Sequence, residues 1–120
     1  MRRKHQDLLA WQLAIDLVKR VYSFTASFPR EELYGLTSQM RRAAVSVPAN
    51  IAEGAGRNSK KEFIQFLTIA RGSLSELDTL VTIATELGYL AEPHEVRSLI
   101  DRVFGLIGGL INSERRVSSP

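Results

Sequence analysis

His5 and His94 are the only side chains of this 120-residue chain whose ordinary titration falls near neutral pH, and no cysteine accompanies them. The missing cysteines exclude disulfides, thiolate metal sites and a cysteine nucleophile. A carboxylate-bridged metal pair in a helical scaffold needs a Glu-x-x-His on each of two helices. Arg2 and Ala91 stand three residues before the two histidines, so that spacing is absent. Neither histidine is placed to serve a serine nucleophile. Gly54-Ala55-Gly56 follows a helical pattern rather than a strand, so it is not a phosphate-cradling nucleotide loop. No catalytic residue, metal or cofactor is expected, and the chain reads as non-enzymatic.

Cations offer a different chemistry. Arg2, Arg3, Lys4, Lys19, Arg20, Arg41, Arg42, Arg57, Lys60 and Lys61 would make a phosphate-binding surface for RNA or DNA if the fold gathers them. No base-reading motif comes with them, so the expected contact is to backbone or shape. The net charge of +3 conceals an asymmetry, because residues 1–61 carry 11 Lys/Arg against 5 Asp/Glu and residues 62–120 carry 5 against 8. Those halves could equally meet each other between subunits, in a protein-interaction scaffold without nucleic acid.

The stretch from Leu36 to Glu62 holds the remaining unusual residues. Leu36, Met40, Ala43, Val47 and Ile51 keep one helical phase straight through Pro48. Proline lacks the N–H that would bond the carbonyl of Ala44, at a generic cost of ~3 kcal/mol or more. The pattern predicts one proline-kinked helix rather than two. Asn50 and Ser46 either relay hydrogen bonds around the break or line a polar pocket there. Glu53 is four residues from Arg57 and pairs with it on one helix face. Gly54 or Gly56 marks the helix end as a left-handed cap. Ser46, Pro48, Asn50, Glu53 and Gly54 together read as a joint that shapes subunits for assembly. Ser59 and Glu62 then form a capping box that opens the next helix.

Four helices must position these residues. The first runs from near Gln6 to about Ser27, with Leu8, Trp11, Ile15, Val18 and Tyr22 as its main stripe and Pro29 as its stop. The third runs from Glu62 to Leu87, where Gly88 with Tyr89 and Leu90 suits a Schellman cap. Pro93 suits the first position of the fourth helix. Gly105, Gly108 and Gly109 in that helix suggest close backbone approach or a fraying end. The expected architecture is an all-α, antiparallel up-down-up-down four-helix bundle in a single domain over 1–120, with ordered helices at about 6–112 and a disordered polar tail at 113–120. Gln6, Asp7, Gln12 and Asp16 interrupt any signal-peptide core, and no window approaches a membrane span. The expectation is a bacterial-type cytoplasmic protein with no membrane partner.

These residues resemble a known family. LLAWQLAIDLV, FPREELYGLTSQMRRAAVSVPANIAEGAGR and SKKEFIQFLTIARGSLSELDTL are similar to the four-helix-bundle proteins encoded in intervening sequences of bacterial 23S rRNA genes. The likeness covers about residues 5–112. It falls on Trp11, on Tyr34, Gly35, Leu36, Gln39, Arg42 and Ala43, on Ser46, Pro48, Asn50, Ile51, Glu53 and Gly54, and on Arg57, Phe63, Leu67, Ala70, Gly72, Ser73, Glu76 and Leu77. It implies a ring-like homopentamer. The sequence is also similar to the accessory protein of diversity-generating retroelements, which implies nucleic acid and a reverse transcriptase or other protein as partners. The likeness transfers no catalytic residue.

Overall fold

Four stretches with apolar side chains at three- and four-residue spacing fold as four helices in the computed structural model, which describes residues 2–118. A 3-10 turn at Lys4–Asp7 precedes α1 (Leu9–Thr25), and a second at Arg30–Glu32 precedes α2 (Leu36–Ala55). Then follow α3 (Lys60–Glu86) and α4 (His94–Ser118). There is no strand among the described residues. Each helix packs on its sequence neighbours and α4 closes on α1, while among the described residues the backbones of the diagonal pairs do not approach closely. Contacts such as Arg20 with Glu95 and Arg97 with Asp78 join the end of one helix to the start of another, so the bundle is antiparallel. Its extents are 52 × 26 × 20 Å.

The core is one continuous cluster in which Leu17, Met40, Ile51, Leu67, Leu74, Leu77, Ile100 and Ile107 are fully buried. In α2 the buried residues follow the predicted stripe, and in α3 and α4 they recur at three- and four-residue spacing. In α1 the stripe lies to one side of the expected one. Ala10, Ala14, Leu17 and Val21 are buried, whereas Tyr22 is 44% exposed. The two alanines let α1 sit close to its neighbours, a small-residue signal that a count of large apolar side chains passes over.

Helix ends divide into those that match expectation and those that do not. Gly88 takes φ +81°, the Tyr89 amide donates to the Ala84 carbonyl at 3.0 Å and the Gly88 amide to Thr85 at 3.1 Å, which is the Schellman cap. Ser59 Oγ accepts the Glu62 amide at 3.0 Å, but the Ser59 hydroxyl, not its amide, meets the Glu62 carboxylate at 3.2 Å. Neither Gly54 nor Gly56 is left-handed. Gly54 is buried inside α2, where a Cβ would come within 2.7 Å of Phe66 Cβ and 3.1 Å of Phe63 Cδ1. Its missing side chain is what lets α3 approach. Pro93 stands one residue ahead of α4, its carbonyl accepting the Arg97 amide at 2.9 Å.

Where a polar tail is expected, α4 continues through Ser113 to Ser118, and the expectation for residues 119 and 120 lies outside the described residues. Glu95 in the first turn and Arg115 and Arg116 in the last turn suit the helix dipole and support this length. Gly105, Gly108 and Gly109 neither fray the helix nor touch another backbone, since a Cβ at any of them would have no neighbour within 4 Å. α2 runs as one helix through Pro48.

At the far end Glu32 joins three elements. One carboxylate oxygen accepts the Leu36 amide at 3.2 Å, opening α2, and the other accepts the Tyr89 hydroxyl at 3.1 Å. Phe28 packs between Phe24 and Tyr89, with ring centroids 5.9 and 5.6 Å away.

Two outcomes follow. Gly54→Ala is expected to lower the unfolding free energy by about 1–3 kcal/mol through overpacking, whereas Gly72→Ala, which faces open space, raises it by up to about 1 kcal/mol. Urea unfolding of the two variants checks the contrast. The Tyr89 hydroxyl has its pKa raised above 10.0 by its hydrogen bond to Glu32 and then by desolvation. The unfolded tyrosine ionises first, so this contribution is complete below pH 10.0 and lost as pH rises through the folded value. Melting temperatures measured across that range should fall more steeply for the native chain than for Tyr89→Phe.

Candidate nucleic-acid interface

Antiparallel packing brings the start of α1, the end of α2, the start of α3 and the end of α4 to one end of the bundle. Arg2, Arg3 and Lys4 precede α1, Arg57 follows α2, and Lys60 and Lys61 open α3. Lys4 Nζ lies 5.1 Å from the centroid of the Phe63 ring, and the Arg57 guanidinium lies 5.1 Å from that of Phe66. These two cation–π contacts tie the segments on either side of α1 and α2 to the first turns of α3. The Arg97–Asp78 pair, at 3.6 Å, fixes the register of α4 against α3. By equal rise along both helices, Arg115 and Arg116 come level with Lys60 and Lys61.

Part of this charge is neutralised locally. Arg2 pairs with Asp7 at 2.8 Å, and Arg57 pairs with Glu53 at 3.0 Å and Glu62 at 3.9 Å. Arg3, Lys4, Lys60 and Lys61 are exposed and make no ion pair among the described residues. Lys60 and Lys61 are unusual for a further reason. They occupy the first turn of α3, where the positive end of the helix dipole disfavours a cation by about 0.3–1 kcal/mol at low ionic strength.

The other four predicted cations lie elsewhere. Arg20 pairs with Glu95 at 3.0 Å, towards the opposite half of α1, and Lys19 is exposed beside it. Arg41 and Arg42 point to different sides of α2. Arg41 Nε donates to Thr25 Oγ1 at 2.9 Å, with its guanidinium 4.6 Å from the centroid of the Tyr22 ring, so it is an α1–α2 packing residue. Arg42 instead faces the groove between α2 and α3. The ten cations therefore do not form one surface: six share the end, and four are distributed. Arg115 and Arg116 join the end cluster only because α4 is longer than expected. The signal for them was the Arg-Arg pair in a segment read as tail.

The joint residues gather along the α2–α3 seam. Asn50 Nδ2 donates to the Ser46 carbonyl at 2.8 Å and to Ser46 Oγ at 2.9 Å, and Ser46 Oγ lies 2.8 Å from Ser73 Oγ. This relay joins the turn that contains Pro48 to α3. It ends in a polar pocket of about 360 Å³ lined by Gln39, Arg42, Ala43, Ser46, Ser73 and Glu76. Ser73 and Glu76 were not among the expected site residues, because an up-down order places α3 beside α2 without showing which of its polar side chains face the seam. Among the described residues, no group of three or more His, Asp or Glu could hold a metal, and no helix is long and apolar enough to cross a membrane.

Fold and surface thus define an all-helical bundle with a cationic end and a polar α2–α3 seam. The chain belongs to the 23S rRNA-intervening sequence protein family, whose model matches residues 6–110. No curated protein matches it. The whole α2–α3 seam lies within the matched residues, whereas Arg2, Arg3, Lys4, Arg115 and Arg116 lie outside them.

Ser46→Ala removes the centre of the relay and leaves Asn50 and Ser73 with one partner fewer. The expected loss is about 1 kcal/mol of unfolding free energy, measured by urea unfolding, with Ser75→Ala on the exposed face of α3 near zero.

Proposed function

We propose that the protein is a non-enzymatic, homo-oligomeric bundle that contacts the backbone of RNA, or of DNA, through its cationic end, and that its biology is connected with ribosomal RNA. The observation that carries this reading is Lys60 and Lys61 at the start of α3. Cations at a helix N-terminus oppose the dipole and destabilise the helix. These two also lie level with Arg116 and near Lys4, which adds self-repulsion. A fold gains nothing from such a cluster alone. A polyanion relieves the repulsion, and counterion release then drives binding. The family's description, naming a 23S rRNA-intervening sequence, supports ribosomal RNA as the context.

Self-association is the second element of the reading. Gly105, Gly108 and Gly109 each cost the helix about 1 kcal/mol relative to alanine with no intrachain neighbour to need the space. Gly105 and Gly109 border an apolar groove with Leu8, Leu9, Leu106 and Leu110. Exposed Val45, Ile69 and Ile83 on the α2 and α3 faces also favour a protein-interaction scaffold without nucleic acid as the alternative. A ring such as a pentamer is consistent with either reading.

Binding to an unspecific RNA across a salt series tests the first. Replacing Lys4, Lys60, Lys61 and Arg116 together by Gln should weaken binding and flatten the salt slope by about 3, on roughly 0.7 per contacted phosphate for a single strand. Lys19→Gln should leave both unchanged. Absence of binding even at low salt would leave the scaffold reading. Light scattering gives the assembly state in parallel, and a monomer at micromolar concentration would contradict the oligomer.

A further inference from the structure

The pocket between α2 and α3 has chemistry of its own, distinct from the cationic end. Gln39, Arg42 and Glu76 line it, and none of their side chains makes a hydrogen bond or ion pair among the described residues. Arg42 and Glu76 carry opposite charges on one pocket but stay more than 4.0 Å apart. Ser46 Oγ already accepts from Asn50, and only one of the two serine hydroxyl protons is used in the 2.8 Å bond between them. The other proton is available to a guest.

This set of groups selects by charge. A phosphate or sulfate would meet the Glu76 carboxylate, and a metal cation would meet the Arg42 guanidinium. An apolar guest would strand polar groups on a lining that is mainly polar. The fitting guest is neutral overall and presents acceptors on one edge beside donors on the next. Among nucleobases, guanine alone offers two adjacent N–H groups, N1–H and N2–H, to one carboxylate. Its O6 and N7 are a bidentate acceptor pair for arginine. Adenine and cytosine offer a carboxylate one exocyclic amine, and uracil one ring N–H.

We infer that the α2–α3 pocket holds an unstacked guanine of a single-stranded RNA, with Glu76 accepting from N1–H and N2–H, Arg42 donating to O6 and N7, and the free serine hydroxyl and Gln39 completing the rim. The inference rests on the nucleic-acid reading above and adds base selection to backbone contact. Single-stranded loops are where proteins reach base edges in RNA. The pocket volume of about 360 Å³ leaves room for a base at an open seam.

The test uses the full chain and a short uridine-rich strand with a single guanine, compared with strands carrying inosine or adenine at that position. The guanine strand should bind about fivefold or more tightly than either, since inosine lacks the N2 amine. Glu76→Gln and Arg42→Gln should each remove that preference. Lys60→Gln with Lys61→Gln should weaken all strands and keep it. Equal affinity for the three strands overturns the guanine pocket while leaving backbone binding intact. Absence of binding to every strand overturns the backbone reading. In that case guanosine monophosphate alone, followed through the amide signals of Ser46 and Ser73, decides the pocket: selective shifts sustain it. A flat response, or shifts produced equally by a free amino acid, ends it.

Discussion

The close approach of α2 and α3 at Gly54 is the constraint on which the other features rest. A Cβ at that position would stand 2.7 Å from Phe66, so the two helices are nearer there than any side chain permits. That distance lets Ser46 reach Ser73 across the seam and lets Arg57 lie over the Phe66 ring. It also presents Phe63 to Lys4, anchoring the turn that precedes α1. A wider α2–α3 spacing would separate the serine hydroxyls and release both cation–π contacts. The two cation–π anchors and the serine contact across the seam thus depend on one missing methyl group.

Charge is divided along the long axis of the molecule. Glu31, Glu32, Glu86, Glu92 and Glu95 lie at or near the end opposite Lys60 and Lys61. There the carboxylates do structural work, as Glu32 does for Leu36 and Tyr89, and Glu92 for Arg97 at 3.0 Å. At the cationic end, Asp7 pairs with Arg2, and Glu53 and Glu62 pair with Arg57. Stability alone would favour mixing the signs, because interspersed charges lower self-repulsion. That segregation is what favours the proposed reading of the cationic end as the surface offered to a polyanion.

The fold was largely legible in the sequence because three of four helices carry their core on large apolar side chains at helical spacing. Gly88 and Ser59 were legible because each cap has one local solution. The α1 stripe was misplaced because its packing relies on Ala10 and Ala14, whose small size is informative only beside a neighbour. Gly54 looked like a cap for the same reason: glycine serves both a left-handed turn and a close contact, and only tertiary packing distinguishes them. The end of α4 was hidden because none of Ser113, Glu114, Arg115 and Arg116 is buried, so no apolar periodicity signals a helix that its own dipole and length sustain. The candidate site was legible by composition but not by place. Arg41 and Arg42, adjacent in sequence, are separated by the helical turn into a packing residue and a pocket residue.

The two candidate surfaces are built from different parts of the chain. Gln39, Arg42, Ser46, Ser73 and Glu76 all fall within the residues matched by the family model, on two helices held by the Gly54 contact. The cationic end takes Arg57, Lys60 and Lys61 from the matched region and the rest of its charge from outside it. Long-range attraction to a polyanion depends on summed charge and tolerates cations at many positions. A directional pocket tolerates no such freedom, because its donors and acceptors must stay in register. A two-helix framework for the pocket, and chain ends beyond the matched residues for much of the field, is a division that these two kinds of physics allow.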